Sequence, residues 1–195
     1  MKRASVQKTA KVLRVLVLAV FVLNLLCLLL TPGATAYVAD GGPGRLFQAL
    51  QGEVERWMGQ GEHFPMGIIF VVSWWAVWSR AETAVLTVFF WLCGVCTAVI
   101  LWQAKKVLDT ILQGSPFQRS NARALKRAAV CCWIISGAAL VRLVFWLWWN
   151  GTLAPLFTYT TLFVPAFFMA GLLFLVMSAL FGQAAELKED QDLTI

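Results

Sequence analysis

The sequence predicts an all-α membrane protein of four transmembrane helices. Between the first and second it predicts a small extracytoplasmic segment, an amphipathic helix followed by a strand-like or interfacial stretch. Three observations carry that prediction. The 195 residues are 60% apolar and only 13% charged, whereas an average globular domain is roughly 25% charged. A chain of this length has too little interior to hide so much apolar surface from water. That excludes an ordinary soluble enzyme, a disordered chain and a secreted disulfide scaffold. Second, four apolar runs are each long enough to cross a hydrocarbon core of about 30 Å, for which roughly twenty helical residues suffice. Third, basic residues are unevenly shared between the segments that join those runs.

The first run is 12–31, preceded by Lys2, Arg3, Lys8, Lys11 and Arg14, with Asn24 as its one strongly polar interior residue. A basic start, an apolar stretch and Ala34-Thr35-Ala36 also match a cleaved signal peptide. The stretch is longer than a usual signal core, so it is read as an uncleaved anchor. Cleavage would leave the remaining topology unchanged. The extracytoplasmic segment is 32–82. Its Gly- and Pro-rich start, 32–44, reads as a loop. Leu46, Phe47, Leu50, Val54, Trp57 and Met58 then recur at helical spacing among polar residues. The apolar stretch 64–79 is short for a span and rich in β-branched and aromatic residues. Were it to cross, the later basic cluster would fall outside, against the positive-inside rule. It is therefore placed outside, with Trp74, Trp75 and Trp78 at headgroup level.

The second span is 83–102. A cytoplasmic connection, 103–128, follows, with Lys105, Lys106, Arg119, Arg123, Lys126 and Arg127. Gly114-Ser115-Pro116 breaks the helix there, and Ser120 or Asn121 is placed to cap the next one. Arg119, Arg123 and Arg127 share one helical face. With Lys126 they are read as a flank touching lipid headgroups rather than a ligand or nucleic-acid site. The third span is 129–149, ending in an aromatic belt of Trp146, Trp148 and Trp149. After a short turn the fourth span runs 156–181. Pro165 should kink it and free a carbonyl near Thr161, with the hydroxyls of Thr160 and Thr161 close by. The tail, 182–195, is abruptly polar and acidic, with Glu186, Glu189, Asp190 and Asp192. It can begin as a continuation of the fourth helix and then extend.

This topology puts both termini in the cytoplasm. Twelve Lys/Arg then lie inside: five at the N-terminus, six in the central connection, and Lys188. Three lie outside, Arg45, Arg56 and Arg80, while Arg142 is within a span. A five-span arrangement loses this asymmetry.

Arg142, the only full charge deep in a span, is a functional candidate by default. It can snorkel outward, or pair with Asn24, Glu82 or a ligand carboxylate. No paired carboxylates lie in the spans, and no metalloprotease, phosphate-loop or nucleophile-elbow motif is present. The five cysteines, Cys27, Cys93, Cys96, Cys131 and Cys132, all lie in apolar runs, and the one histidine, His63, is in another segment. Cys93-Gly-Val-Cys96 has redox or zinc spacing, but its apolar flanks give a thiolate nothing to stabilise it. The cysteines are read as packing residues. No catalytic residue, cofactor or metal is expected, and no direct nucleic-acid binding.

Two stretches resemble a bacterial family of small four-helix membrane proteins classed as a domain of unknown function. One is Leu108-Asp-Thr-Ile-Leu-Gln-Gly-Ser-Pro-Phe117 with Asn121 and Leu125 downstream, similar to a G-x-P-F turn. The other is the terminus, 179–195, similar to a helix end leading to L-x-E-x-x-D-L-T-I, with Asp190 where a glutamate would be typical. Together they cover roughly residues 80–195. The resemblance implies the bacterial inner membrane. It also implies a gene neighbourhood, since members are often encoded beside a small helix-turn-helix regulator of the Cro/repressor type. A membrane tether or antagonist of that regulator follows, with Gly114, Pro116, Phe117, Asn121, Asp190, Asp192, Leu193, Thr194 and Ile195 as contact candidates. The bland alternative is a structural turn plus a tail docked on its own loop, Asp190 and Asp192 against Arg119, Arg123 or Arg127. The expectation is thus a non-enzymatic membrane protein that presents its central connection and tail to a cytosolic regulator. The alternative is a small channel or transporter subunit, built as a homo-oligomer, that uses Arg142 to attract anions. A toxin-immunity or envelope-stress role is not separable from the first reading by sequence.

Overall fold

The structure is a computed structural model that describes residues 2–39, 74, 77–78, 81–151 and 159–193. Within these residues all regular structure is helical. The four helices are α1 (Lys2–Ala39), α2 (Ala81–Leu112), α3 (Arg119–Asn150) and α4 (Tyr159–Leu193). Each contains a stretch long and apolar enough to span a membrane, and the protein is a multi-pass membrane protein. The apolar side chains that point outward, such as Val15, Val88, Val141 and Leu173, are more than half exposed, as lipid contact requires.

The shortest of these helices has 32 residues, roughly 48 Å, well beyond the hydrocarbon thickness. This changes the boundaries expected from sequence. The loop predicted from residue 32 is instead helix as far as Ala39, and Pro32 sits inside it. Pro32 has no N–H to donate to Leu28 O, and the helix continues past that one lost bond. Beside it, Thr31 Oγ1 donates to Cys27 O at 2.9 Å and Thr35 Oγ1 to Pro32 O at 2.9 Å, so both hydroxyls are satisfied within the helix. The connection expected over 103–128 is also mostly helix, because nothing before Gly114 stops α2. Only residues 113–118 lie between α2 and α3. The amphipathic pattern at 46–58, His63 and most of 64–79 lie outside the described residues.

The chain divides into two compact units. In the unit of residues 26–91, the end of α1 meets the start of α2 through two threonines. Thr35 and Thr87 are 0% and 1% exposed, and their hydroxyl oxygens lie 2.9 Å apart. Each also reaches a carbonyl of its own helix, Pro32 O and Thr83 O, so two protons serve three contacts. Nearby, Trp74 and Trp78 lie 5.2 and 6.5 Å from Trp91, centroid to centroid. Replacing Thr87 with valine keeps the shape and leaves Thr35 facing a methyl group. The expected loss is about 1 kcal/mol, read as a lower unfolding midpoint in mixed detergent micelles. An unchanged midpoint would mean the hydroxyl clasp contributes nothing.

The other unit holds residues 1–25 and 92–195. Here α3 is the inner helix. Asn121, Ala124, Ala128, Cys132, Ile135, Ser136 and Ala139 are all buried, and their spacing places them on one face. Most are small, which lets helix backbones approach closely where no hydrophobic effect drives association. α4 runs antiparallel to α3. Ser178 Oγ donates to Ala122 O at 2.7 Å near one end, and Ser136 Oγ to Val164 O at 2.8 Å further along. The latter contact is one residue before Pro165, where α4 has lost a backbone donor. Between them Gly171 lies against Trp133, and a Cβ there would overlap the indole and come within 3.2 Å of Ala129 O. α1 joins this unit through Phe21, whose ring is 5.9 Å from Trp102.

Candidate partner-docking site at the basic end

The residues singled out by the family resemblance meet where α2 turns into α3. α2 closes by a paired backbone motif. Ser115 N–H donates to Thr110 O and Gly114 N–H to Ile111 O, both at 3.1 Å. This pattern requires a left-handed residue after the helix, and Gly114 supplies it with φ 78°. Pro116 follows, where no helix can continue.

Asn121 then locks the turn. It is 1% exposed, and its Nδ2 donates to Thr110 Oγ1 and to Pro116 O, each at 2.7 Å. Thr110 Oγ1 in turn donates to Val107 O at 2.7 Å. Neither Ser120 nor Asn121 caps α3 as expected. The N-cap is Gln118, in extended conformation and without a side-chain cap bond. Asn121 has its donors committed to the turn, and Ser120 Oγ donates to Gln118 Oε1 at 3.1 Å. Asn121 is therefore a buried fastener and is not available to a partner. Phe117 is 48% exposed, and its ring lies 5.8 Å from that of Phe181 on α4.

α4 carries the acidic segment as uninterrupted helix to Leu193, where the sequence suggested an extended end. Glu186, Leu187, Glu189 and Asp190 are exposed. Arg119 Nη2 donates to Glu189 Oε2 at 2.8 Å, with both side chains more than half exposed. The tail thus meets the start of α3 through Glu189. Such an exposed pair is worth roughly 0.2–1 kcal/mol. The backbones of Asp192 and Leu193 are helical, while their side chains, with Thr194 and Ile195, lie outside the described residues.

Sequence reasoning missed one ion pair here. Arg14 Nε approaches Asp109 Oδ1 to 2.9 Å, without the alignment of a hydrogen bond, and Lys105 Nζ lies 3.9 Å from Asp109 Oδ2. The pair joins α1 to α2. A signal existed, since Asp109 is the only carboxylate between Glu82 and Glu186.

Arg142 is distant from this end of α3. It falls on the packed face, three residues beyond Ala139 and seven beyond Ile135, and is half-buried. It donates nothing to Asn24, whose Oδ1 is buried without a hydrogen-bond partner. The five cysteines are free thiols. Among the described residues, no group of three or more His, Cys, Asp or Glu is placed to hold a metal ion.

A family model described as Protein of unknown function (DUF2975) matches residues 55–195, taking in all of α2, α3 and α4. No curated protein and no solved structure matches the chain.

Proposed function

The chain belongs to the DUF2975 family of proteins of unknown function, and we propose that it is a non-enzymatic tether of the bacterial inner membrane. Both termini lie in the cytoplasm, and the end of α4 is offered to a basic cytosolic regulator of the helix-turn-helix type. The observation that carries this reading is the continuous, exposed, acidic end of α4, with Glu186, Leu187, Glu189 and Asp190 open to solvent. Anionic headgroups repel such a strip, whereas a basic protein surface complements it. A DNA-binding regulator has that surface, and carboxylates in a row compete with phosphates for it. The positive-inside distribution supports the orientation. The buried Asn121 and the committed Gly114 and Pro116 act by fixing the start of α3 against the end of α2, while Phe117 and the residues of α4 from 186 onward supply the contacts.

The test is a crosslinking pull-down from native membranes, comparing the full chain with one ending at Ala185, which lacks Glu186 and everything after it. A DNA-binding protein is expected with the full chain and lost with the shortened one. Arg142→Leu separates the alternative. A tether keeps its partner after this substitution, whereas an anion channel or transporter subunit loses flux in liposomes with its expression intact. Equal recovery from both chains would overturn the tether.

A further inference from the structure

Four basic residues open α3, and the structure separates them. Arg119 is taken by Glu189. Arg123, Lys126 and Arg127 are exposed, and no ion pair or hydrogen bond to them occurs among the described residues. Spaced by three and four residues, these cations crowd one face within little more than a turn. Like charges at that spacing destabilise a helix unless an anion lies between them. Among the described residues, Glu186, exposed on α4, makes no ion pair with them.

The same face continues as an apolar strip, opposite the buried Ala124, Ala128 and Cys132. Val130 and Ile134 are 45% and 42% exposed. Gly137 is exposed, with open space where a Cβ would stand. From Arg127 to Gly137 the helix descends about 15 Å, the depth of one leaflet. A free phosphate would use only the cations. A phospholipid uses both cations and strip.

We infer that this face of α3 is a site for an anionic glycerophospholipid, with its phosphate among Arg123, Lys126 and Arg127 and an acyl chain along Val130, Ile134 and the notch at Gly137. Two of the three cations are guanidinium groups, whose planar forks match phosphate oxygens. The site differs from general headgroup attraction, which acts on every exposed cation alike. It stands apart from the tether reading, since it requires neither the tail nor a protein partner.

The experiment is native mass spectrometry of the full chain released from micelles containing equal phosphatidylglycerol and phosphatidylcholine. Retained phosphatidylglycerol is counted, with excess inorganic phosphate as a competing arm. Arg123→Gln with Arg127→Gln is expected to lower affinity for the lipid about thirtyfold, since each basic residue contributes about 1 kcal/mol near anionic lipid. Lys8→Gln with Lys11→Gln removes the same charge from exposed positions on α1 and should leave retention unchanged. Both pairs replace exposed side chains, and unchanged unfolding midpoints would confirm that the fold survives. Inorganic phosphate should displace little lipid. Equal loss in both pairs would show diffuse attraction, loss in neither would show no site, and full displacement by phosphate would show an anion site without an acyl component. Each of these three outcomes overturns the inference.

Discussion

Replacing Gly171 with valine is expected to cost about 3 kcal/mol of stability, the upper range for overpacking a close contact. The geometry leaves no soft exit. A side chain at 171 would enter the volume of the Trp133 indole and also approach Ala129 O at 3.2 Å. The indole is bulky and rigid, and the carbonyl belongs to the backbone of α3, so the helices must separate. Separation would lengthen the Ser136–Val164 and Ser178–Ala122 hydrogen bonds on either side. Lipid replaces lost apolar contact at no penalty, and the pair therefore depends on close packing and these few polar contacts. The measurement is reversible unfolding in mixed micelles. Trp133→Leu in the valine background should recover part of the loss, a coupling above 0.5 kcal/mol marking residues that touch. If Gly171→Val unfolds at the midpoint of the parent chain, the close approach of α3 and α4 is wrong.

The four helices were legible because a membrane span is a composition problem. Some twenty apolar residues need no partner information to be recognised. The ends were not legible, because what stops a helix in lipid differs from what stops it in water. Pro32 reads as a breaker in a soluble protein, but one lost backbone bond does not end a helix in a membrane, and α1 continues to Ala39. The polar residues after 102 and 181 read as connection and tail. They are acceptable helix formers, and nothing before Gly114, and no proline or further glycine between Gly182 and Leu193, interrupts them. Polarity marks where the membrane ends and says little about where the helix does.

At the site, residue types were found more readily than roles. Gly114, Pro116, Phe117 and Asn121 do converge, but Asn121 faces inward. Its partners, Thr110 and Pro116, lie eleven and five residues before it, a pairing with no periodic signature. Acidic tail and basic helix start do meet, yet the pairing of Glu189 with Arg119 depends on the helix remaining intact past that residue. Arg142 was visible as an isolated charge. That it lies on the inner face of α3 follows from its spacing to Ile135 and Ala139, once those are known to be buried.

The second large effect is expected at Asn121. Alanine there removes two hydrogen bonds, to Thr110 Oγ1 and Pro116 O, and leaves a gap at a position only 1% exposed. At about 1 kcal/mol per bond plus the vacated volume, the loss is roughly 2–4 kcal/mol. Aspartate has nearly the same shape and should be worse. It offers no N–H, and it would set an ionised carboxylate against the Pro116 carbonyl, a buried charge facing an acceptor. Thr110 could turn its hydroxyl toward the new oxygen only by abandoning Val107 O. The order parent, alanine, aspartate in falling midpoint therefore identifies Asn121 as a donor, whereas equal losses would identify a residue that matters only by volume. Limited trypsin cleavage after Arg119 gives a local reading, since the residue lies just beyond the turn that Asn121 fastens. Loosening that turn is also expected to weaken the contacts of Arg119 with Glu189 and of Phe117 with Phe181, which together with Ser178–Ala122 set this end of α4 beside α3. A tether that reads its partner through α4 should lose binding in the aspartate variant even though every carboxylate of the tail is still present. If binding survives while the turn is cleaved rapidly, the tail acts as a free acidic strip, and its placement beside α3 plays no part in recognition.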